Sequence, residues 1–97
     1  MPTPDPLPSD AEVARRAAHR RAFGDVIRQA RENRGLSQEA LADLAEVSRP
    51  TIAWIEGSTN TITLDRLWAV ASALDISAAD LIGRTERAVE RQSRPRG

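Results

Sequence analysis

Between Ser9 and Arg94 the apolar side chains recur at intervals of three and four residues rather than alternating, a spacing that predicts helices and no strands. Ser9 followed by Glu12 is a capping-box pair, so a first helix opens there and can run unbroken to about Asn33. Its first half presents only Ala11, Ala14, Ala17 and Ala18, whereas Phe23, Ile27 and Ala30 form a true apolar stripe, so the part bound to the core starts near Phe23. Ser37 is placed to cap a second helix with Leu41, Ala42 and either Leu44 or Ala45 on its buried face, and Glu39 suits the positive end of its dipole. The pattern restarts almost at once. Ser48 caps a third helix, Arg49 to Glu56, with Pro50 in its first turn, where a missing N–H costs nothing. Thr63 opens a fourth helix, in which Leu64, Leu67, Trp68, Ala71 and Leu74 keep helical spacing, and Ser77 with Asp80 opens a short fifth anchored by Leu81 and Ile82. Gly35, Gly57 and Gly83 fall where apolar runs stop, as left-handed helix ends do.

The proline-rich residues 1–8 cannot bury enough apolar area to offset ordering entropy and read as a disordered arm. Residues 9–22 read as an N-terminal helical extension, 23–83 as the folded unit and 84–97 as a basic tail, helical in part up to Arg91. At 97 residues one core is all that the chain can build.

Composition removes several function classes. There is no cysteine, which excludes disulfides and Cys-containing metal sites, and with His19 as the single histidine no His pair can hold zinc. A lone His on an Arg-rich helix is far more often a surface residue than a catalytic base, so no catalytic residue, metal or cofactor is expected. The opening MPTPDPLPSD has neither the basic region nor the apolar run of a secretory signal, and the expected location is the cytoplasm, on the nucleoid.

Two short helices joined by a turn of three or four residues, set among five, form the arrangement that lets the second project into a DNA major groove. The residues that carry it read F-x-x-x-I-x-x-A-R-x-x-x-G-L-S-Q-E-x-L-A-x-x-A-x-V-S-x-x-x-I-x-x-I-E-G from Phe23, then T-L-x-x-L-W-x-V-A-x-A-L-x-I-S-x-x-D-L-I from Thr63. Over Phe23 to Ile82 the chain resembles the Cro/CI-type helix-turn-helix domain of the XRE family of phage and bacterial repressors. The resemblance implies an all-α, five-helix lambda-repressor-like fold and a sequence-specific regulator, in all expectation a repressor, that places its third helix in double-stranded DNA as a homodimer.

It also assigns roles. Val47, Ile52 and Ile55 would be core, leaving Arg49, Pro50, Thr51 and Trp54 on the exposed side of the recognition helix. Gln38 and Ser48, at two helix starts, would hold phosphates, and Asn60, in the loop that follows, joins the DNA-binding set. Arg31 and Glu56 would form a structural ion pair. Arg49 can make a bidentate contact to guanine, Thr51 can offer its methyl or hydroxyl, and Pro50 and Trp54 can pack on a thymine methyl; Trp54 could equally mark a protein interface. Trp68 stands where the family carries Leu and is expected in the core.

Two positions depart from the pattern. Glu46 and Asp75 stand where Gly is usual, each at a cost of about 1 kcal/mol if the backbone is left-handed there. Charge departs too. All 14 basic residues are Arg, against 14 acids, and they divide unevenly: seven Arg against five acids in residues 1–34, two against seven in 35–83, five against two in 84–97. Since DNA binding draws on phosphate neutralisation, the Arg-rich ends must help an acidic middle. A neutral net charge and Trp54 in the readout face also suit an alternative, an antitoxin or protein-interaction adaptor on the same fold, with a toxin or regulator as partner.

Overall fold

A computed structural model describes residues 3–58 and 61–94. It contains five helices, α1 (Asp10–Asn33), α2 (Gln38–Ala45), α3 (Arg49–Glu56), α4 (Leu64–Ala73) and α5 (Ala78–Ser93), and no strand among the described residues. Each helix begins on a hydroxyl. Ser9, Ser37, Ser48, Thr63 and Ser77 accept bonds from the amides of Glu12, Ala40, Thr51, Arg66 and Asp80, satisfying one orphan donor in every first turn. The reciprocal bond of a capping box is made neither by Glu12 to Ser9 nor by Asp80 to Ser77, the carboxylates turning forward to Arg15 and Arg16 and to Arg84.

α1 packs against α3 and α5, α2 against α3 and α4, and α4 against α5. The core between them is built on Ile27, Leu41, Ile52, Val70, Leu74 and Leu81, with Phe23, Leu36 and Val47 packed on its edge. Gly24 sets how closely α1 approaches α3: a Cβ there would lie 2.6 Å from the carbonyl oxygen of Ile55 and 2.8 Å from that of Glu56. Arg34, just past α1, donates to the Leu74 carbonyl at 2.6 Å and so ties the ends of α1 and α4 together.

Several expectations change. Trp68 is 57 % exposed and Leu64 65 %, because α4 turns Leu67, Val70, Ala71 and Leu74 inward and these two residues share its outer side. Ile82 is likewise exposed, leaving Leu81 as the anchor of α5, and on α2 it is Ala45 rather than Leu44 that is buried. Gly83 ends nothing: α5 runs through it to Ser93. Gly57 caps α3 with a right-handed backbone, φ −82°, and the positive φ falls on Ser58 instead, at 63°. Gly35, at φ 68°, is left-handed as expected, and so are Glu46 and Asp75, both at φ 56°. No helix among the described residues is long and apolar enough to cross a membrane.

Candidate nucleic-acid interface

α2 and α3 are separated by Glu46, Val47 and Ser48 alone. The left-handed Glu46 reverses the chain. Its amide and that of Val47 return to carbonyls of the last turn of α2, at Asp43 and Ala42, and Ser48 then starts α3. Val47 packs on the core edge, which fixes the angle at which α3 leaves the turn.

On α3 the residues divide by face. Ile52, Ile55 and Glu56 are buried, while Arg49, Pro50 and Trp54 are exposed. Thr51 does not join the exposed set. It is buried, and its hydroxyl lies 2.8 Å from the Ser48 hydroxyl, so a polar side chain that looked free for readout is satisfied locally. Ser48 spends its oxygen on Thr51 in the same way, but the residue itself is exposed at the helix start. Asn60 lies outside the described residues.

Behind this face runs a connected set of polar side chains. Arg31 of α1 grips Glu56 along one edge of its guanidinium, Nε to Oε2 at 2.7 Å and Nη2 to Oε1 at 2.9 Å, and its third nitrogen, Nη1, donates to the Leu36 carbonyl at 2.8 Å. Gln38 donates to Glu56 Oε1 at 3.2 Å and accepts from Arg49 Nη1 at 3.3 Å. The Glu56 bonds hold the Arg31 pKa above its ordinary value, against a smaller opposing effect of burial, so the guanidinium stays charged. The chain Arg31–Glu56–Gln38–Arg49 therefore leads from a nearly buried ion pair to an exposed guanidinium at the start of α3. The resemblance paired Arg31 with Glu56, but nothing in one-dimensional spacing places Gln38 between Glu56 and Arg49.

Beside α3 a shallow cavity of about 110 Å³ is lined by Thr51, Trp54, Ile55, Thr61, Ile62 and Arg66. Trp54 forms one wall and remains 49 % exposed. Ser58 donates to the Arg20 carbonyl at 3.4 Å, which brings the first half of α1 against the segment that follows α3. There Arg15 and Arg16 are engaged by Glu12, whereas Arg20 and Arg21 form no ion pair among the described residues. No group of His, Cys, Asp and Glu among the described residues could hold a metal ion.

Comparison with known proteins fits this geometry. A family model described as helix-turn-helix matches residues 27–81. Among solved structures, the clp gene regulator ClgR from Corynebacterium glutamicum is similar over 93 % of this chain and 84 % of its own, with TM-score 0.73 and 24 % identity. The restriction-modification controller protein C.AhdI from Aeromonas hydrophila is similar over 66 % of this chain and 97 % of its own, with TM-score 0.65 and 34 % identity. A helix-turn-helix transcriptional regulator from Vibrio cholerae shares 28 % identity at TM-score 0.66 over 70 % of this chain, which corresponds to 38 % of that protein. No curated protein matches the chain.

Proposed function

The chain belongs to the Cro/CI-type helix-turn-helix family, whose lambda-repressor-like fold its five helices adopt, and from that premise we propose that it is a DNA-binding transcriptional regulator, acting as a repressor, that inserts α3 into the major groove as a homodimer. The observation that carries this reading is Arg49. It is exposed on the first turn of α3, and its guanidinium is oriented by Gln38, which Glu56 and Arg31 hold in turn. The 3.3 Å bond to Gln38 is weak enough to be exchanged for guanine O6 and N7, a bidentate contact worth about 1–3 kcal/mol of discrimination. Pro50 and Trp54 supply apolar surface for a thymine methyl, while the helix starts at Gln38 and Ser48, with Asn60, receive phosphates.

We assign the binding unit to residues 23–83. Arg residues of the 9–22 extension then supply the phosphate neutralisation that an acidic middle lacks, while Arg84, Arg87 and Arg91, which the sequence put in a tail, belong to α5 and face α1 instead, and residues 1–8 form an arm outside the unit. In a homodimer two copies of α3 would read half-sites about 34 Å apart on a near-palindrome. Selection of bound duplexes from a randomised pool, with Arg49→Ala in parallel, tests the reading: an inverted repeat should be enriched, and one base pair in each half-site relaxed in the variant. Absence of any enriched sequence at near-physiological salt would overturn it.

A second reading rests on Trp54 and Trp68, both about half exposed on a chain with no net charge. Large aromatics left in water commonly meet a protein, so an antitoxin or adaptor is the alternative. Pull-down of a stoichiometric protein partner that is lost on Trp54→Ala, from a chain that enriches no DNA, would favour it.

A further inference from the structure

The length of α5 brings together residues that the sequence had spread over a tail. Arg84, Arg87 and Arg91 recur at intervals of three and four residues on one face, and all three line a half-open groove of about 150 Å³ together with Val26, Gln29, Ala30 and Asn33 of α1. No carboxylate is among the lining residues. Arg84 is bonded to Asp80 at 2.9 Å, but Arg87 and Arg91 form no ion pair among the described residues. Glu90, at a spacing that could serve Arg87, is bonded to Arg94 instead.

Two features make this grouping unfavourable in the absence of an anion. Like charges four residues apart on a helix repel, and here Arg87 and Arg91 do so with Arg84 one turn away. Gly83 sits in the helix interior, a poor place for glycine, and the space it leaves is taken by Arg87: a Cβ would meet Nη1 at 3.3 Å, with Cζ and Nη2 at 3.9 Å. The glycine thus lets a guanidinium lie close along the helix at the edge of the groove.

We propose that the α1–α5 groove is a binding site for a small molecule bearing a diphosphate. Guanidinium forks match phosphate oxygens in geometry as well as charge. Arg84 and Arg91 are seven residues apart, about 10 Å of helix rise, a span that suits two linked phosphates better than one carboxylate or orthophosphate. The amides of Gln29 and Asn33 add donors from the other wall. DNA is not the occupant. Helical phase puts Val26, Gln29 and Asn33 on the side of α1 opposite Gly24 and Arg31, the residues that touch α3, so a duplex on α3 lies across the helix from the groove.

The test requires no DNA and is independent of the regulator reading. The full chain, labelled with ¹⁵N, is titrated with inorganic pyrophosphate at fixed ionic strength while the arginine Nε–H and side-chain amide signals are followed. Saturable shifts are expected at Arg87, Arg91, Gln29 and Asn33, with Arg20 and Arg21 unmoved. Arg87→Ala/Arg91→Ala should weaken binding at least about ten-fold, as loss of charge-assisted bonds does, while Arg15→Ala/Arg16→Ala leaves it unchanged. Linear shifts spread over all arginines would overturn the site. Citrate binding as tightly as pyrophosphate would overturn the phosphate class, and orthophosphate doing so would overturn the two-phosphate span.

Discussion

Glu56→Ala is the perturbation whose cost the geometry defines most closely. The glutamate side chain is 4 % exposed and the Arg31 side chain 12 %, so the substitution removes both acceptors of a guanidinium that water barely reaches. Stranding one member of a buried pair costs about 3–5 kcal/mol. Arg31 keeps the Leu36 carbonyl at 2.8 Å and has Glu32 at 3.9 Å, which places the expected loss at the lower end, about 3 kcal/mol. For a domain of this size that is a fall in Tm of roughly 12–24 °C, a large part of a total stability of about 5–15 kcal/mol. Urea unfolding followed by far-ultraviolet circular dichroism measures it, with an unchanged m-value showing that the folded state kept its compactness. The double variant Arg31→Met/Glu56→Leu replaces the pair by apolar groups of similar size and should lie within about 1 kcal/mol of the natural chain. The reasoning fails if Glu56→Ala costs under about 1 kcal/mol, or if the double variant is as unstable as the single one.

Gly24→Ala should destabilise by about 1–3 kcal/mol in the same urea assay despite alanine's better helix propensity, because the added methyl meets backbone carbonyls that cannot turn aside; a gain in stability would refute the close approach. Glu46→Gly should stabilise by about 0.5–1 kcal/mol, relieving a side chain held at φ 56°, and a loss would show that the side chain contributes more than the strain removes. Leu67→Ala should cost about 2–5 kcal/mol and the exposed Leu64→Ala under about 1, so equal costs would contradict the facing of α4. Hydrogen bonds from Arg15 and then Arg16 lower the Glu12 pKa; with the folded value the lower one, its contribution to α1 is complete above the unfolded value and is lost as pH falls through the folded one, in the window below about pH 4.5. Carboxyl NMR titration should accordingly show the Glu12 midpoint rising in Arg15→Ala/Arg16→Ala.

Helix starts were the most legible part of the fold. A hydroxyl cap acts on amides two or three residues ahead, so its evidence is local, and Ser9, Ser37, Ser48, Thr63 and Ser77 all cap as their positions implied. Facing was harder. On α4 the apolar residues Leu64, Leu67, Trp68, Val70, Ala71 and Leu74 cover more than one side, and only the placement of α2 and α5 decides that Trp68 stays outside. Thr51 misled in the opposite sense, since a polar residue can be buried when a neighbour three residues away satisfies it. Gly83 resembled a terminator because glycine is a poor residue in mid-helix, and here the space it leaves is filled by the Arg87 side chain one turn further along the same helix. The links from Glu56 to Gln38 and from Gln38 to Arg49 are contacts between elements, and no local rule foretells them.

α1 serves both neighbours at once, with Gly24 and Arg31 turned to α3 and Val26, Gln29 and Ala30 to α5. A single inserted residue turns everything beyond it by about 100°. Between Gly24 and Asn33 the helix is therefore locked in phase, and one extra residue after Arg28 would swing Arg31 away from Glu56 while Gly24 stayed in place. Ahead of Ala14, where Val13 is half exposed, the same insertion turns only surface residues. Related chains should accordingly vary in length at the start of this helix and hold constant length through its second half, and the two insertions, compared by thermal unfolding, should differ by the whole of the fold.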